Sequence, residues 1–142
     1  MDEIASASEQ ISLFCRLNVN AKVDLPIRSS EMGMLIYLCQ KDAQATPMAV
    51  ADYFQVTKAM ATNMATALVK QGYLQKVPSK TDRRQKYLVP TDQARALVAT
   101  TYQQYYQSVQ LIKAKLGDAQ FDQLIHSLAL ANQVLLEAKR DE

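Results

Sequence analysis

The sequence predicts a mainly α-helical protein that carries one two-stranded β-hairpin. Three observations predict it. Only Gly33, Gly72 and Gly117 interrupt 142 residues rich in Ala, Leu, Gln and Lys, a composition that favours helix. Apolar residues recur at three- and four-residue steps over most of the chain. Between Tyr73 and Val89 the pattern changes to two short strand-like runs flanking a polar tip. With 49% hydrophobic and 21% charged residues, the chain reads as globular, and its length suits one domain with a real core.

The elements follow in order. From Glu3 to Asn18, Ile4, Ile11, Phe14, Cys15 and Leu17 alternate with polar residues as an amphipathic helix requires. Asp24-Leu25-Pro26-Ile27 breaks it. Ser29 or Ser30 can cap a second helix running to about Lys41, and its interior, Met32 to Cys39, is apolar nearly all round, as in a buried central helix. Thr46-Pro47 pairs an N-cap residue with proline at the first helical position, opening a short helix from Met48 to Phe54. Thr57 is the next N-cap, for a helix from Lys58 to Gln71 that Gly72 stops. Two helices joined so tightly predict a helix-turn-helix. The runs Tyr73–Val77 and Tyr87–Val89 then form the hairpin, with Pro78 to Lys86 at its tip. Thr91 or Asp92 opens a long helix to about Leu116, Gly117-Asp118 breaks it, and Asp118 caps a last helix to about Lys139.

The two last helices carry stripes, Leu97, Val98, Tyr102, Tyr105, Val109, Ile112 and Leu116 in one, and Phe121, Leu124, Ile125, Leu128, Ala131, Leu135 and Ala138 in the other. Helices of this length exceed what so small a central part can cover. Pairing with a second copy, the N-terminal helix included, would bury them; a closed helical hairpin within one chain is the other solution. The expected organisation is one chain, 1–142, with a central helix-turn-helix and hairpin over 30–90 and helical dimerisation parts over 1–20 and 91–142.

The charge is uneven. From Val56 to Lys86 seven lysines and arginines face one acid, Asp82, while the remainder has nine against thirteen. A basic middle between mildly acidic arms suits a polyanion, although charge runs are commonly solvated faces. On the helix after Thr57, Met60, Ala61, Met64, Ala65 and Leu68 are expected to pack inward. Lys58, Ala59, Thr62, Asn63, Thr66 and Lys70 form the other stripe, small, polar or basic and without an acid. Entry into a DNA major groove needs short side chains for close approach, hydrogen-bonding groups for base edges and cations for phosphate. The hairpin tip adds Lys80, Arg83, Arg84 and Lys86, suited to a neighbouring minor groove where negative potential is focused. Asp82, two residues before Arg84, is placed to hold a guanidinium by a bidentate bond.

On these residues the chain resembles the MarR-type winged-helix repressors. Val50 to Thr57 looks like the first helix and turn of the motif, and Ala61-Thr62, Leu68 and Gly72-Tyr73 fall at the recognition helix and its end. Asp82-Arg83-Arg84 followed by Leu88 and Thr91 looks like the wing signature. Pro90, where Leu is usual, and Ala94, where Gly is usual, depart from the pattern at the wing-to-helix junction. The resemblance implies a mainly α winged helix-turn-helix with long terminal dimerisation helices, binding double-stranded DNA as a homodimer at a pseudo-palindromic operator. Recognition helices would take successive major grooves and Arg84 a minor groove, with release of a repressor by a small molecule or by thiol oxidation.

Met32, Tyr37, Tyr102 and Tyr105 form the candidate effector pocket, apolar with hydroxyls as a phenolic or other planar aromatic ligand requires. Cys15 is the candidate redox sensor; in the peroxide-sensing branch tyrosines early in the second helix activate such a thiol, and none lies between Cys15 and Tyr37. No cofactor is expected, and no metal: the one histidine, His126, is phased with Asp122 and Gln133 on a polar face. No nucleophile elbow, P-loop, dinucleotide fingerprint or metal-binding His pair is present, which excludes most enzyme designs. The start, Met-Asp-Glu-Ile, has neither a basic nor an apolar run, so no signal peptide, no membrane span and a cytoplasmic location with reduced Cys15 and Cys39 are expected. The rival to a DNA reader is a winged-helix module that binds protein through the same helix.

Overall fold

The computed structural model describes residues 2–19, 24–40 and 45–141. In chain order these form α1 (Glu3–Val19), α2 (Ser29–Gln40), α3 (Pro47–Phe54), α4 (Lys58–Lys70), β1 (Leu74–Pro78), β2 (Lys86–Pro90), α5 (Asp92–Tyr105), α6 (Gln107–Leu116) and α7 (Asp118–Arg140). The architecture is a winged helix, mainly helical with one two-stranded antiparallel sheet. The expected end of the second helix at Lys41 lies outside the described residues.

Local chemistry sets the boundaries. In α2, Met32 N donates to Arg28 O and Arg28 N donates to Glu31 Oε1, both at 2.9 Å. Arg28 is therefore the cap, and the carboxylate three residues on closes it as in half a capping box; Ser29 and Ser30, expected as caps, are already helical. Thr46 Oγ1 accepts from Ala49 N at 3.2 Å ahead of Pro47, and Thr57 Oγ1 accepts from Met60 N at 3.1 Å. Between α3 and α4 the turn is made by Gln55 in the left-handed region, φ 54°. After α4, Gly72 takes φ 87°, where a Cβ would strain the backbone and lie 3.0 Å from Gln93 Oε1.

The chain divides into two units, residues 23–104 and residues 1–22 with 105–142. Thr91 joins the start of α5 to the first of these units: its Oγ1 donates to Gly72 O at 2.7 Å, its N donates to Tyr73 O at 3.1 Å, and its Oγ1 also accepts from Ala94 N at 3.2 Å. That cap ties the first turns of α5 to the end of α4. Pro90 and Ala94 are buried at the same junction.

The core of residues 23–104 is built on α2. Met32, Met34, Leu35 and Leu38 of α2, with Val50, Leu68, Leu74 and Leu88, are all essentially without solvent contact. Each such side chain contributes about 1.5–3 kcal/mol by leaving water. In the sheet Leu74 pairs with Pro90, Lys76 with Leu88 and Pro78 with Lys86. A bridge the sequence did not signal, Leu88 N to Ala45 O at 2.8 Å, ties the start of the helix-turn-helix to the wing.

In the other unit α6 packs on α7, Lys113 Nζ sits 5.9 Å from the Phe121 ring centre, and Ser108 Oγ donates to Asn18 Oδ1 at 2.9 Å. The single helix expected from Thr91 to Leu116 is interrupted at Tyr106, φ −100° and ψ 12°. No proline or glycine marks the place. One to two turns earlier, Thr100 and Thr101 both donate to Leu97 O, at 3.1 and 2.6 Å, back-bonding that loosens helical backbone. Gly117, at φ 84°, is the N-cap of α7 and Asp118 its first helical residue, so Asp118 serves the helix dipole rather than capping it by a side-chain bond.

Candidate nucleic-acid interface

The inward face of α4 is narrower than its pattern suggested. Ala61, Ala65 and Leu68 are fully buried, but Met60 is 50% exposed and Met64 half-buried. The small Ala side chains let α4 sit close on the core, and at 100° per residue Met60 then falls to the side. The opposite stripe is arranged as expected. Lys58, Ala59, Asn63, Thr66 and Lys70 are exposed and Thr62 is half-buried; the Thr57 hydroxyl is used as the cap.

The wing stands beside it. Lys80, Asp82, Arg83, Arg84 and Lys86 are all exposed. A cleft of about 400 Å³ joins the two elements, lined on one side by Lys58 and Thr62 and on the other by Lys76, Arg84, Gln85 and Lys86. Four cations and no acid line it. Thr62 faces this cleft, whereas Asn63 lines a second one of about 460 Å³ on the other flank of α4, with Arg28, Glu31 and Gln71. Consecutive helix positions point 100° apart, so the two residues address different sides of one ridge.

Three wing residues stand in places that charge and periodicity did not single out. Lys76 and Gln85 fall in strand and tip by pattern, yet both line the cationic cleft. Ser79 is buried at the base of the tip; the spacing Ser79-Lys80-Thr81-Asp82, a polar turn signature, was the available signal. The expected Asp82 to guanidinium bond is replaced by another. Asp82 Oδ1 accepts from the backbone N of Arg84 at 3.0 Å, because a carboxylate two residues back reaches the near amide more readily than the end of a long side chain.

Of the candidate effector residues, Met32, Tyr37 and Tyr102 lie in residues 23–104. Met32 is fully buried, with Thr101 Oγ1 3.8 Å from its sulfur. Tyr37 stacks on Tyr53 at 4.2 Å, edge-on to Phe54 at 5.6 Å. Tyr102 is part-exposed, and Tyr105 belongs to the other unit, edge-on to Tyr106 at 4.9 Å. Cys15 is exposed on α1. Cys39 is half-buried, and burial pushes its thiol up against a smaller lowering by Arg95. Among the described residues no three His, Cys, Asp or Glu side chains converge as a metal site would need, and no helix is long and apolar enough to cross a membrane.

Residues 24–85 match the model of the MarR family. That segment, which holds α2, α3, α4 and the first strand of the hairpin, resembles that family. Solved structures share the fold over nearly the whole chain. Streptococcus pneumoniae FabT in complex with DNA aligns at TM-score 0.75 and 22% identity, covering 96% of this chain and 99% of that one. The Staphylococcus aureus MepR–DNA complex aligns at 0.79 and 18%, covering 95% and 99%. Bordetella bronchiseptica BpsR, whose DNA binding is regulated by 6-hydroxynicotinic acid, aligns at 0.78 and 16%, covering 88% and 91%. No curated protein sequence matches. By fold alone, α3 and α4 form the helix-turn-helix, and β1 and β2 form the wing.

Proposed function

We propose that the protein is a transcriptional regulator, a repressor, that binds double-stranded DNA as a homodimer at a pseudo-palindromic operator and is released by a small aromatic or phenolic effector. The observation that carries the reading is the acid-free cleft between α4 and the wing, with Lys58, Lys76, Arg84 and Lys86 around it. Four cations held together without counter-charge repel one another unless an anion lies between them, and a phosphate backbone supplies one every few ångströms. With α4 in the major groove, Ala59, Thr62, Asn63 and Thr66 meet base edges. Asn63 suits adenine, the methyl groups of Ala59 and Thr62 suit thymine, and Lys58 and Lys70 suit phosphate. Arg84 on the wing reaches the adjacent minor groove.

Two copies are required by the terminal helices, whose apolar side chains one chain leaves in water, and two copies read a two-fold site. Effector release is supported by the regulation of BpsR's DNA binding by 6-hydroxynicotinic acid, a small planar aromatic acid; oxidation of the exposed Cys15 is the second route. Selection of duplexes from a random pool, followed by binding across a salt series, tests the whole. A palindromic winner with log K falling against log salt by about 0.9 per phosphate neutralised supports the reading. A salt-insensitive protein without duplex affinity would be the protein-binding module instead.

A further inference from the structure

Ser79 is buried although its neighbours along the chain are exposed. Residues 75–78 and 80–86 are exposed, yet Ser79 is 5% exposed. Its backbone N donates to Gln85 O at 3.0 Å and closes the tip into a loop. Its Oγ accepts from Thr81 N and from Asp82 N, each at 3.2 Å, and lies 3.1 Å from Thr81 Oγ1 and 3.5 Å from Tyr87 OH. Asp82 continues the chain of contacts: its carboxylate accepts from Arg84 N and its carbonyl from Gln85 N, both at 3.0 Å. One hydroxyl and one carboxylate thus pin the backbone from Ser79 to Gln85. They do so against repulsion among Lys80, Arg83, Arg84 and Lys86, which alone would splay the tip.

We propose that Ser79 is a positioning residue for groove reading. Its hydroxyl orders the wing tip before DNA arrives, so the ordering entropy of the loop is not lost at binding and the guanidinium of Arg84 starts from a fixed place. The proposal rests on the DNA-binding reading. It assigns to Ser79 specificity without DNA contact and without charge, which separates it from the cations around it.

The test is Ser79→Ala in the full chain with three measurements. Trypsin cleavage after Lys80, Arg83, Arg84 or Lys86, followed without DNA, rises about tenfold as the hydroxyl's hydrogen bonds are lost. Affinity for the selected duplex falls about tenfold, the equivalent of one or two such bonds. Affinity for a scrambled duplex and the salt slope stay as in the wild type, because every cation remains. Unchanged cleavage overturns the proposal, as does a parallel loss on selected and scrambled duplexes, the mark of a merely weakened fold. If the wild-type protein binds no duplex at all, the DNA-binding reading fails and the groove-reading role with it, while the cleavage measurement separately decides whether the hydroxyl orders the tip.

Discussion

Within residues 23–104, Met32, Met34, Leu35, Leu38 and Leu68 have essentially no solvent contact in a single chain, whereas in the terminal helices Ile4, Ile11, Val134 and Leu135 remain 64–78% exposed. Among the described residues of the second unit none is buried. The winged part closes its own core because a helix apolar all round, α2, is wrapped by α3, α4, α5 and the sheet. The terminal helices have one apolar stripe each, and within the chain much of it stays in water. The difference teaches that one sequence can hold a part that closes its own core and helices that leave their apolar stripes open, with different responses to the same kind of substitution.

The largest effect should come from charging the open frame. Leu135→Asp is expected to convert the protein to monomer in sedimentation and to make its melting temperature independent of concentration, since a carboxylate buried without a partner costs several kcal/mol. If residue 135 stays in water in the working protein, the substitution is nearly neutral and the comparison between the units breaks. Next is Leu35→Ala in the closed core. It should cost about 2–5 kcal/mol in denaturant unfolding, with a loss that does not vary with protein concentration in the winged part. A smaller effect belongs to the wing. Arg84→Ala should weaken the selected duplex by about 1–3 kcal/mol and flatten preference for a narrow-groove flank, with stability unmoved; an unchanged footprint removes Arg84 from groove reading.

The smallest effect sharpens the comparison through a thiol. Burial raises the Cys39 thiol above its ordinary range, so at pH 8 it should be alkylated more slowly than a free thiol, with the rate still climbing at higher pH. Because the folded value is raised, the protonated thiol is favoured in the fold below the ordinary range, and that contribution is lost as pH rises through the raised value. Alkylation as fast as a small-molecule thiol would show the core around α2 to be open.

Much of the fold was legible because its signals are local. Thr46-Pro47, Thr57 and Gly72 each mark an end through a hydrogen bond or a dihedral set within three residues, and each element they predict is present within a residue or two. The exposed polar stripe of α4 was legible for the same reason, since helical phase alone separates Lys58, Asn63 and Thr66 from Ala61, Ala65 and Leu68. The cationic cleft was legible only in part. Arg84 and Lys86 stood out as charge, but Lys76 joins them through strand register, which no local pattern reports.

By itself, then, the amino-acid order determined where most helices begin and stop, that the middle of the chain is basic, and which face of α4 is polar. Tertiary structure decided that Met60 turns outward, that Ala45 pairs with Leu88, that Asp82 holds a backbone amide rather than a guanidinium, and that a lone serine is enclosed at the wing. Caps and periodicity are short-range energies readable from a few neighbours, whereas burial and pairing depend on which distant segment arrives alongside, and only the packed chain sets that.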